Sequence, residues 1–218
     1  MLNSTKPRIT RKHFPKHVLT RTKYRQAWEC LSLDFEERCA YSMQHMSRAG
    51  GRKCMEVDHF NPHKKDDHIQ EYKNLFLATR HCNGAKRDRW LSNKLRQLGA
   101  RFLNCCKEAD YGVHIFEDPD THEVAGVTPE GKYHVRNCDL NAPHLVEERA
   151  ERSQFLDLLE NRPMKIKGKG NWTLPGEAQA LQVVVRKMIP KIPYLSGDAL
   201  ENHRARKKAL AALDLRGQ

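Results

Sequence analysis

Long apolar segments are missing from this sequence. None of its apolar runs approaches the roughly 20 residues that a membrane-spanning helix needs. Near the amino terminus, the stretch 6–25 is basic and interrupted by Pro7 and Pro15, unlike the apolar core of a secretory signal. We therefore expect a cytoplasmic protein that does not enter a membrane.

The cysteines lack the pattern of a disulfide framework. There are seven of them, an odd number, and their spacing is irregular, whereas small disulfide-rich folds carry even, regularly spaced sets. In a reducing cytosol such residues are expected to be free thiols. The adjacent Cys105 and Cys106 are interpreted as packing residues of a buried helix.

Acidic residues are too few to balance the basic ones. The chain has 39 Lys and Arg against 27 Asp and Glu, a net charge of +12 and a pI near 9.5. An excess of this size is typical of a protein with a polyanion partner, most simply nucleic acid. A basic surface that is merely solvated would have the same composition, so charge alone does not decide.

Three short motifs follow one another in the central stretch of the chain. They read Glu-Val-Asp-His-Phe-Asn-Pro at 56–62, Tyr-Lys-Asn-Leu at 72–75 and His-Cys-Asn-Gly-Ala-Lys-Arg-Asp at 81–88. Each motif alone is common by chance. Their order and spacing within one short window carry the interpretation below.

Local patterns place these motifs on a strand, a loop, a second strand and a helix. Glu56 to Asp58 is predicted to end the first strand, and the stretch 64–71 is charged and without apolar periodicity, as in an exposed loop. The apolar run 75–78 has the length of a strand. The stretch 83–89 is predicted to be a short helix.

The residue types of the motifs suit phosphodiester hydrolysis. A histidine such as His59 can take a proton from water near neutral pH. A divalent metal ion can neutralise the phosphate and stabilise the leaving oxygen. Magnesium prefers oxygen ligands and keeps several waters, so one carboxylate and one amide oxygen can hold it.

The motifs resemble those of the HNH, or ββα-metal, nuclease family. The family pattern has an Asp-His pair before a proline, an Asn before a short apolar strand, and Cys-Asn or Cys-His with a Lys three residues on. The resemblance implies an α+β fold with a ββα-metal core and a metal-dependent endonuclease, with Mg²⁺ or Mn²⁺ as cofactor. It implies the following roles: Asp58 and Asn83 as metal ligands, His59 as general base, Asn74 as a structural brace of the catalytic loop, and Lys86 as a phosphate-facing residue.

Several neighbouring residues extend this predicted site. Arg80, Arg87 and Arg89 are expected to bind the DNA backbone together with Lys86. His81 competes with Asn83 for the role of second metal ligand. The motif forms look most like those of HNH effectors of bacterial anti-phage systems of Septu, retron or Zorya type. This likeness implies an antiviral role and a possible partner such as a defence-system ATPase.

The sequence departs from many HNH domains at the positions that hold a structural zinc. In those domains two Cys-x-x-Cys pairs bind the ion. Here Cys39 is followed by Ser42, and Thr79 precedes Cys82. Because structural zinc normally has four ligands, we expect none. Cys54, His45 or His81 could still complete an irregular site.

Four parts are predicted along the chain. They are a basic arm and helix (1–37), a nuclease domain with helical and β-meander additions (38–161), a linker (162–175) and a basic helical extension (176–218). Apolar periodicity predicts further helices over 20–33, 90–107, 141–160 with Asn141 as its cap, 177–188 and 196–213. Further strands are predicted over 38–41 and in a small antiparallel meander within 113–137, which includes 132–135.

The sequence thus predicts an endonuclease that nicks double-stranded DNA. Two other hypotheses stay open. The chain could bind nucleic acid without cutting it, or it could be a nuclease held silent by a partner. A magnesium-dependent nicking assay separates the first from cleavage, and activity restored by a partner would indicate the second.

Overall fold

The protein has a mixed α+β fold, as predicted. We describe it from a computed structural model that covers residues 6–64, 71–161 and 192–214. The helices are α1 (Trp28–Asp34), α2 (Arg80–Lys86), α3 (Asn93–Gln97), α4 (Pro129–Asn137), α5 (Pro143–Asn161) and α6 (Gly197–Asp214). The strands are β1 (Met55–His59), β2 (Leu75–Thr79), β3 (Ile115–Glu117) and β4 (Val124–Gly126). Within these residues, no helix is both long and apolar enough to cross a membrane.

An antiparallel hairpin of β1 and β2 forms the centre of the fold. Its register pairs Met55 with Thr79 at one end and His59 with Leu75 at the other. Every residue of β2 is buried, since the strand is covered on both faces and α1 packs against it. The ring of Phe76 on β2 stacks on that of Phe60 with centroids 4.7 Å apart.

Helix α2 begins immediately after β2. The side chain of Thr79 caps it by accepting a hydrogen bond of 3.3 Å from the backbone N–H of Cys82. The helix therefore begins at Arg80, three residues before the predicted start. The two predicted strands and the helix follow one another in the predicted order, and residues 81–86 of the third motif lie on α2. Most of the predicted loop over 64–71 lies outside the described residues.

The second sheet differs from the predicted meander. Strands β3 and β4 pair antiparallel, but the stretch 132–135 lies in α4, so the prediction of a strand there is wrong. Thr128 caps α4 through a 3.1 Å bond to the N–H of Gly131, and Pro129 occupies its first turn. These start signals favour a helix and outweigh four alternating residues.

The contact between α4 and β4 requires two glycines. A Cβ at Gly126 would lie 2.2 Å from the backbone of Gly131, and a Cβ at Gly131 would lie 2.2 Å from the carbonyl oxygen of His114. Helix and strand backbones therefore meet directly. Side chains at these positions would force them apart.

The predicted helix over 90–107 is also wrong in extent. Only α3 forms there, and it ends before Gly99, whose φ of +89° belongs to the left-handed region. Leu98 is 70% exposed, whereas Phe102 and Leu103 are buried beyond the turn. The glycine ended the helix, as glycine commonly does just past a helix terminus.

Smaller differences concern the predicted strand over 38–41 and two helix starts. In place of the strand predicted over 38–41, Arg38 forms an isolated β-bridge with His45. The first helix starts with a 3₁₀ turn at Tyr24–Ala27 and continues as α1. Asn141 does not cap α5. Its side chain accepts a 2.7 Å bond from Val124 N–H and donates a 2.9 Å bond to Val124 C=O.

The basic amino-terminal arm packs on the domain. Arg8 donates to the carboxylate of Asp110 at 2.7 Å and to the carbonyl of Ala40 at 2.6 Å. The backbone N–H of Ile9 donates to Cys105 C=O at 2.9 Å. The charge of Arg8 is therefore used inside the protein, where burial lowers its pKa but the Asp110 carboxylate and other neighbours more than offset this and raise the pKa above its usual value.

The carboxy-terminal segment returns to the second sheet. Glu117 N–H donates to Pro193 C=O at 3.0 Å, and Leu195 N–H donates to Glu117 C=O at 2.8 Å. Arg204 of α6 then binds Asp118 at 2.8 Å. The predicted linker over 162–175 and the helix over 177–188 lie outside the described residues.

Candidate active site

Residues from the first and third motifs line one open cleft beside the hairpin. Its volume is about 420 Å³. The end of β1, the middle of α2 and the turn before α1 surround it. The lining residues are Tyr24, Val57, Asp58, His59, Asn83, Gly84, Arg87 and Asp88. Three predicted site residues, Asp58, His59 and Asn83, are thus brought together although up to 25 positions separate them in the sequence.

Asp58 is held firmly at the floor of this cleft. It is only 5% exposed. Tyr41 donates its hydroxyl to Oδ2, and the ammonium of Lys86 lies 3.0 Å from the same oxygen and 3.2 Å from Oδ1. Burial and the neighbouring Asp58 carboxylate raise the pKa of Tyr41 well above its usual value, so the hydroxyl keeps its proton. No pattern in the sequence indicates this role of Tyr41.

His59 follows at the end of β1. Its side chain is largely buried, with 6% of the residue exposed. The ring of Tyr24 packs against the imidazole, with centroids 4.6 Å apart and planes inclined by 56°. This contact limits the orientation of the imidazole at the cleft. Tyr24 was expected only as a helix residue.

Asn74 ties down the loop that leaves His59. Its side-chain oxygen accepts a 2.8 Å bond from Asn61 N–H, and its Nδ2 donates a 3.0 Å bond to Asn61 C=O. Its own backbone carbonyl accepts a 2.8 Å bond from Phe60 N–H. These bonds fix the two residues after His59, and the catalytic role that the resemblance implies for Asn74 stays a prediction.

Lys86 lies in a different environment from the one expected of a phosphate-facing residue. It is fully buried. Its ammonium is bound by Asp58 and by the carbonyl of His59 at 3.0 Å, with the ring of Phe102 5.7 Å away. In this structure Lys86 therefore connects α2 to the end of β1, and the site surface is built by other residues.

Asn83 is positioned by a residue that the sequence analysis missed. Its Nδ2 donates a 2.7 Å bond to Glu56 Oε2, and Arg80 binds the other oxygen of Glu56 at 3.3 Å. Glu56 lies two residues before Asp58, and side chains at i and i+2 of a strand point to the same face. That periodicity could have identified it.

The donor set at the cleft fits a hard divalent cation. The Asp58 carboxylate has about four acceptor sites, so its bonds to Tyr41 and Lys86 leave capacity. Because Asn83 turns its Nδ2 to Glu56, its Oδ1 is available as a ligand. Two oxygen ligands with water completing the shell are typical of magnesium in nucleotide-processing sites. The adjacent Lys86 ammonium offsets part of the negative charge and weakens the attraction for the ion.

His81, the competing ligand, does not line the cleft. Its Nε2 lies 3.1 Å from the carbonyl oxygen of Asp139. Its ring meets that of His144 edge-on, with centroids 4.6 Å apart. Of the two alternatives, the structure brings Asn83 to Asp58 and His59.

The predicted arginines lie at three different places. Arg87 is exposed on the cleft wall, at the end of α2, with a φ of +52°. Arg80 is engaged with Glu56, while Arg89 lies outside this cleft and donates to Ala85 C=O at 2.8 Å. Only Arg87 is therefore placed at the cleft beside His59.

The four positions that match the zinc-binding pairs lie together in the interior. Thr79 donates its hydroxyl to Cys39 Sγ at 3.6 Å, and Cys39 also interacts with Ser42 and Cys82. Burial raises the pKa of the Cys39 thiol, but these hydrogen bonds together outweigh burial and lower the pKa below its usual value. In the described part of the chain, no group of three or more His, Cys, Asp or Glu residues could hold a metal ion. A site built from one carboxylate and one amide is not a group of this kind.

Comparisons with known proteins add nothing to this geometry. A scan against protein-family models, a search of curated proteins and a search of solved structures found no match to this chain.

Proposed function

We propose that this protein is a metal-dependent endonuclease of the HNH type that hydrolyses DNA phosphodiester bonds. The observation that carries the proposal is the meeting of Asp58, His59 and Asn83 at one cleft. Asp58 supplies a carboxylate, His59 an imidazole and Asn83 an amide. Each residue lies at the position that the family pattern gives to that group. The net charge of +12 suits a polyanionic substrate.

His59 acts as the general base in this mechanism. Its imidazole takes a proton from a water molecule, and the water oxygen attacks phosphorus in line with the leaving 3′ oxygen. The new P–O bond forms as the bond to the 3′ oxygen breaks, and a proton from solvent completes the 3′ hydroxyl. The ring of Tyr24 and the Asn74 brace hold the imidazole and its loop in position.

Asp58 and Asn83 are the residues that would hold the metal. A bound Mg²⁺ or Mn²⁺ ion supplies Lewis acidity, which neutralises charge on the phosphate and on the leaving oxygen. Glu56 orients the Asn83 amide, and Tyr41 with Lys86 orients the Asp58 carboxylate. Arg87 at the cleft wall offers a guanidinium to the DNA backbone. One such site cuts one strand, so a monomer is expected to nick.

An antiviral role in the cytoplasm is part of the proposal. It rests on the likeness of the motifs to those of anti-phage HNH effectors, in which a partner such as an ATPase controls the nuclease. A second candidate is a nucleic-acid-binding protein with little cleavage of its own. The hydrogen bonds that Asp58 already accepts from Tyr41 and Lys86 favour it, because they weaken metal binding.

Nicking of supercoiled plasmid tests the proposal. Purified protein should nick with magnesium or manganese and not with EDTA. His59→Ala should abolish nicking, while His63→Ala, which removes an exposed histidine four residues further on, should not. Cleavage that survives His59→Ala would exclude the mechanism. Salt-sensitive DNA binding without nicking under either metal would favour the second candidate.

A further inference from the structure

A second, larger cleft lies beside α4, and its rim is basic. We call it the α4 cleft. Its volume is about 660 Å³. Arg89, Lys132, Tyr133 and Arg136 line it together with the turn at 98–100. Position 136 follows 132 by four residues and 133 by three, so Arg136 shares a face of the helix with both.

Carboxylates of the described residues do not balance the charges of the α4 cleft. Lys132 and Arg136 are exposed, and among the described residues no carboxylate pairs with either of them. Within the part of the chain that the structure describes, Arg89 donates to neutral groups only, the carbonyl of Ala85 and, at 3.4 Å, the side-chain oxygen of Asn137. The nearby Glu130 faces Arg101, 3.9 Å away. By contrast, α6 uses its Arg204 to bind carboxylates.

The arrangement of Lys132 and Arg136 opposes helix stability. Like charges at positions i and i+4 of a helix repel each other. No acidic residue within the described residues relieves this repulsion, and α4 is only nine residues long. A pair of this kind becomes favourable when an anion binds between the two side chains.

The α4 cleft adjoins the candidate active site along the chain. Arg87 lines the active-site cleft and Arg89 lines the α4 cleft. Two residues of extended chain span at most about 7 Å. Successive phosphates of one DNA strand are separated by a similar distance, since each nucleotide advances about 3.4 Å along the helix axis and turns around it. Neighbouring phosphates of one strand can therefore meet the two arginines.

Tyr133 is the aromatic residue in the lining of the α4 cleft. The ring of Tyr133 packs edge-on against Phe102, with centroids 5.2 Å apart, so it is used in the core. Guanidinium and ammonium groups bind phosphate oxygens of any sequence. We infer that the α4 cleft binds the phosphodiester backbone of the polynucleotide on one side of the cut, without sequence preference. This inference rests on the proposed function, because it extends the substrate path of the same site.

The test removes two charges from the α4 cleft and compares a matched pair elsewhere. The variant is Lys132→Gln with Arg136→Gln. The control is Arg206→Gln with Lys208→Gln, which removes one arginine and one lysine from exposed positions of α6. Binding of a fluorescein-labelled 20-base-pair duplex is measured by anisotropy in EDTA, over a range of sodium chloride concentrations. Circular dichroism verifies the fold of each variant.

The α4 variant should bind DNA with a shallower dependence on salt. Each lost phosphate contact lowers the log–log slope by about 0.9, so two lower it by roughly 1.8, and the affinity at 0.15 M salt falls about 30-fold. The control pair should leave slope and affinity close to wild type. The inference is overturned if the α4 variant binds DNA like the wild type, or if the α4 variant and the control variant lose the same affinity. It is also overturned if the wild-type protein binds no DNA.

The outcomes for this inference and for the proposed function can be told apart. The binding assay contains no metal and needs no hydrolysis. Binding that depends on the α4 cleft without any nicking would support the cleft and favour the nucleic-acid-binding candidate over the nuclease. Nicking that depends on His59, with DNA binding unchanged in the α4 variant, would support the nuclease and refute the inference about the α4 cleft.

Discussion

The buried lysine beneath the candidate site provides the sharpest test of the structure. Lys86→Met keeps most of the side-chain volume and removes the ammonium. The carboxylate of Asp58, 5% exposed, then keeps Tyr41 but loses its bonds of 3.0 and 3.2 Å to Lys86. The carbonyl of His59 loses a 3.0 Å bond as well.

Removing one partner of a buried ion pair usually costs about 3–5 kcal/mol, because the other charge is left uncompensated. For a chain of this size, each kcal/mol shifts the melting temperature by roughly 2–4 °C. We therefore expect Lys86→Met to lower the free energy of unfolding by about 3–5 kcal/mol and the melting temperature by about 6–20 °C. Urea titration followed by circular dichroism at pH 7 measures the first quantity, and a thermal scan measures the second.

A double variant separates the ion pair from simple packing. Asp58→Asn with Lys86→Met removes both charges and retains an acceptor for Tyr41. It should be more stable than Lys86→Met alone, since no buried charge is left without a partner. A loss below about 1 kcal/mol in the single variant, or no recovery in the double variant, would refute the buried pair. If Lys86 were a surface residue that faces phosphate, Lys86→Met would cost little stability. The variant would then bind DNA with a weaker dependence on salt than the wild type.

Three further predictions follow from other contacts. Asn74→Ala leaves the backbone groups of Asn61 without partners and should cost about 1–3 kcal/mol in urea titration, whereas Asn74→Asp, which keeps the acceptor, should lose less; equal stability of all three proteins would contradict the brace. Burial lowers the pKa of His134 to about 4, below its unfolded value of about 6.5. The contribution of His134 to the free energy of unfolding should therefore be fully present above pH 6.5 and decrease by up to about 3 kcal/mol as the pH falls to 4. Denaturation at pH 7 and pH 4.5 measures this, and His134→Asn should reduce the pH dependence; an equal slope in both proteins would assign it to other groups. Gly126→Ala should cost about 3 kcal/mol or more in the same assay, because its Cβ would overlap the backbone of α4, whereas Gly84→Ala, with open space around it, should gain up to about 1 kcal/mol.

The sequence was most informative where local rules and tertiary packing agree. The run 75–78 is apolar without alternation, which is typical of a strand covered on both faces, and β2 is such a strand. A short helix over 83–89 was also predicted, and the cap at Thr79 moves its start to Arg80. The meeting of Asp58, His59 and Asn83 at one cleft follows from this hairpin and helix.

Features that depend on distant partners could not be read from the pattern. A lysine in a basic segment is normally a surface residue, and only the position of Asp58 on a neighbouring strand makes the burial of Lys86 possible. Polar and apolar residues alternate over 132–135 as in a strand, but these residues form a helix because Thr128 caps its start. Gly99 gave a local signal for the end of α3, which leucine periodicity over 90–107 obscured.

The return of the chain to the second sheet has a practical consequence for anyone who shortens this protein. Residues 193–195 cover the free edge of β3 through backbone hydrogen bonds with Glu117. A fragment that ends at 161, where α5 ends, would leave the amide and carbonyl of Glu117 open. Open strand edges recruit other strands and promote aggregation. We expect a fragment of residues 1–161 to be less soluble than the full chain, even though it contains every residue of the candidate active site.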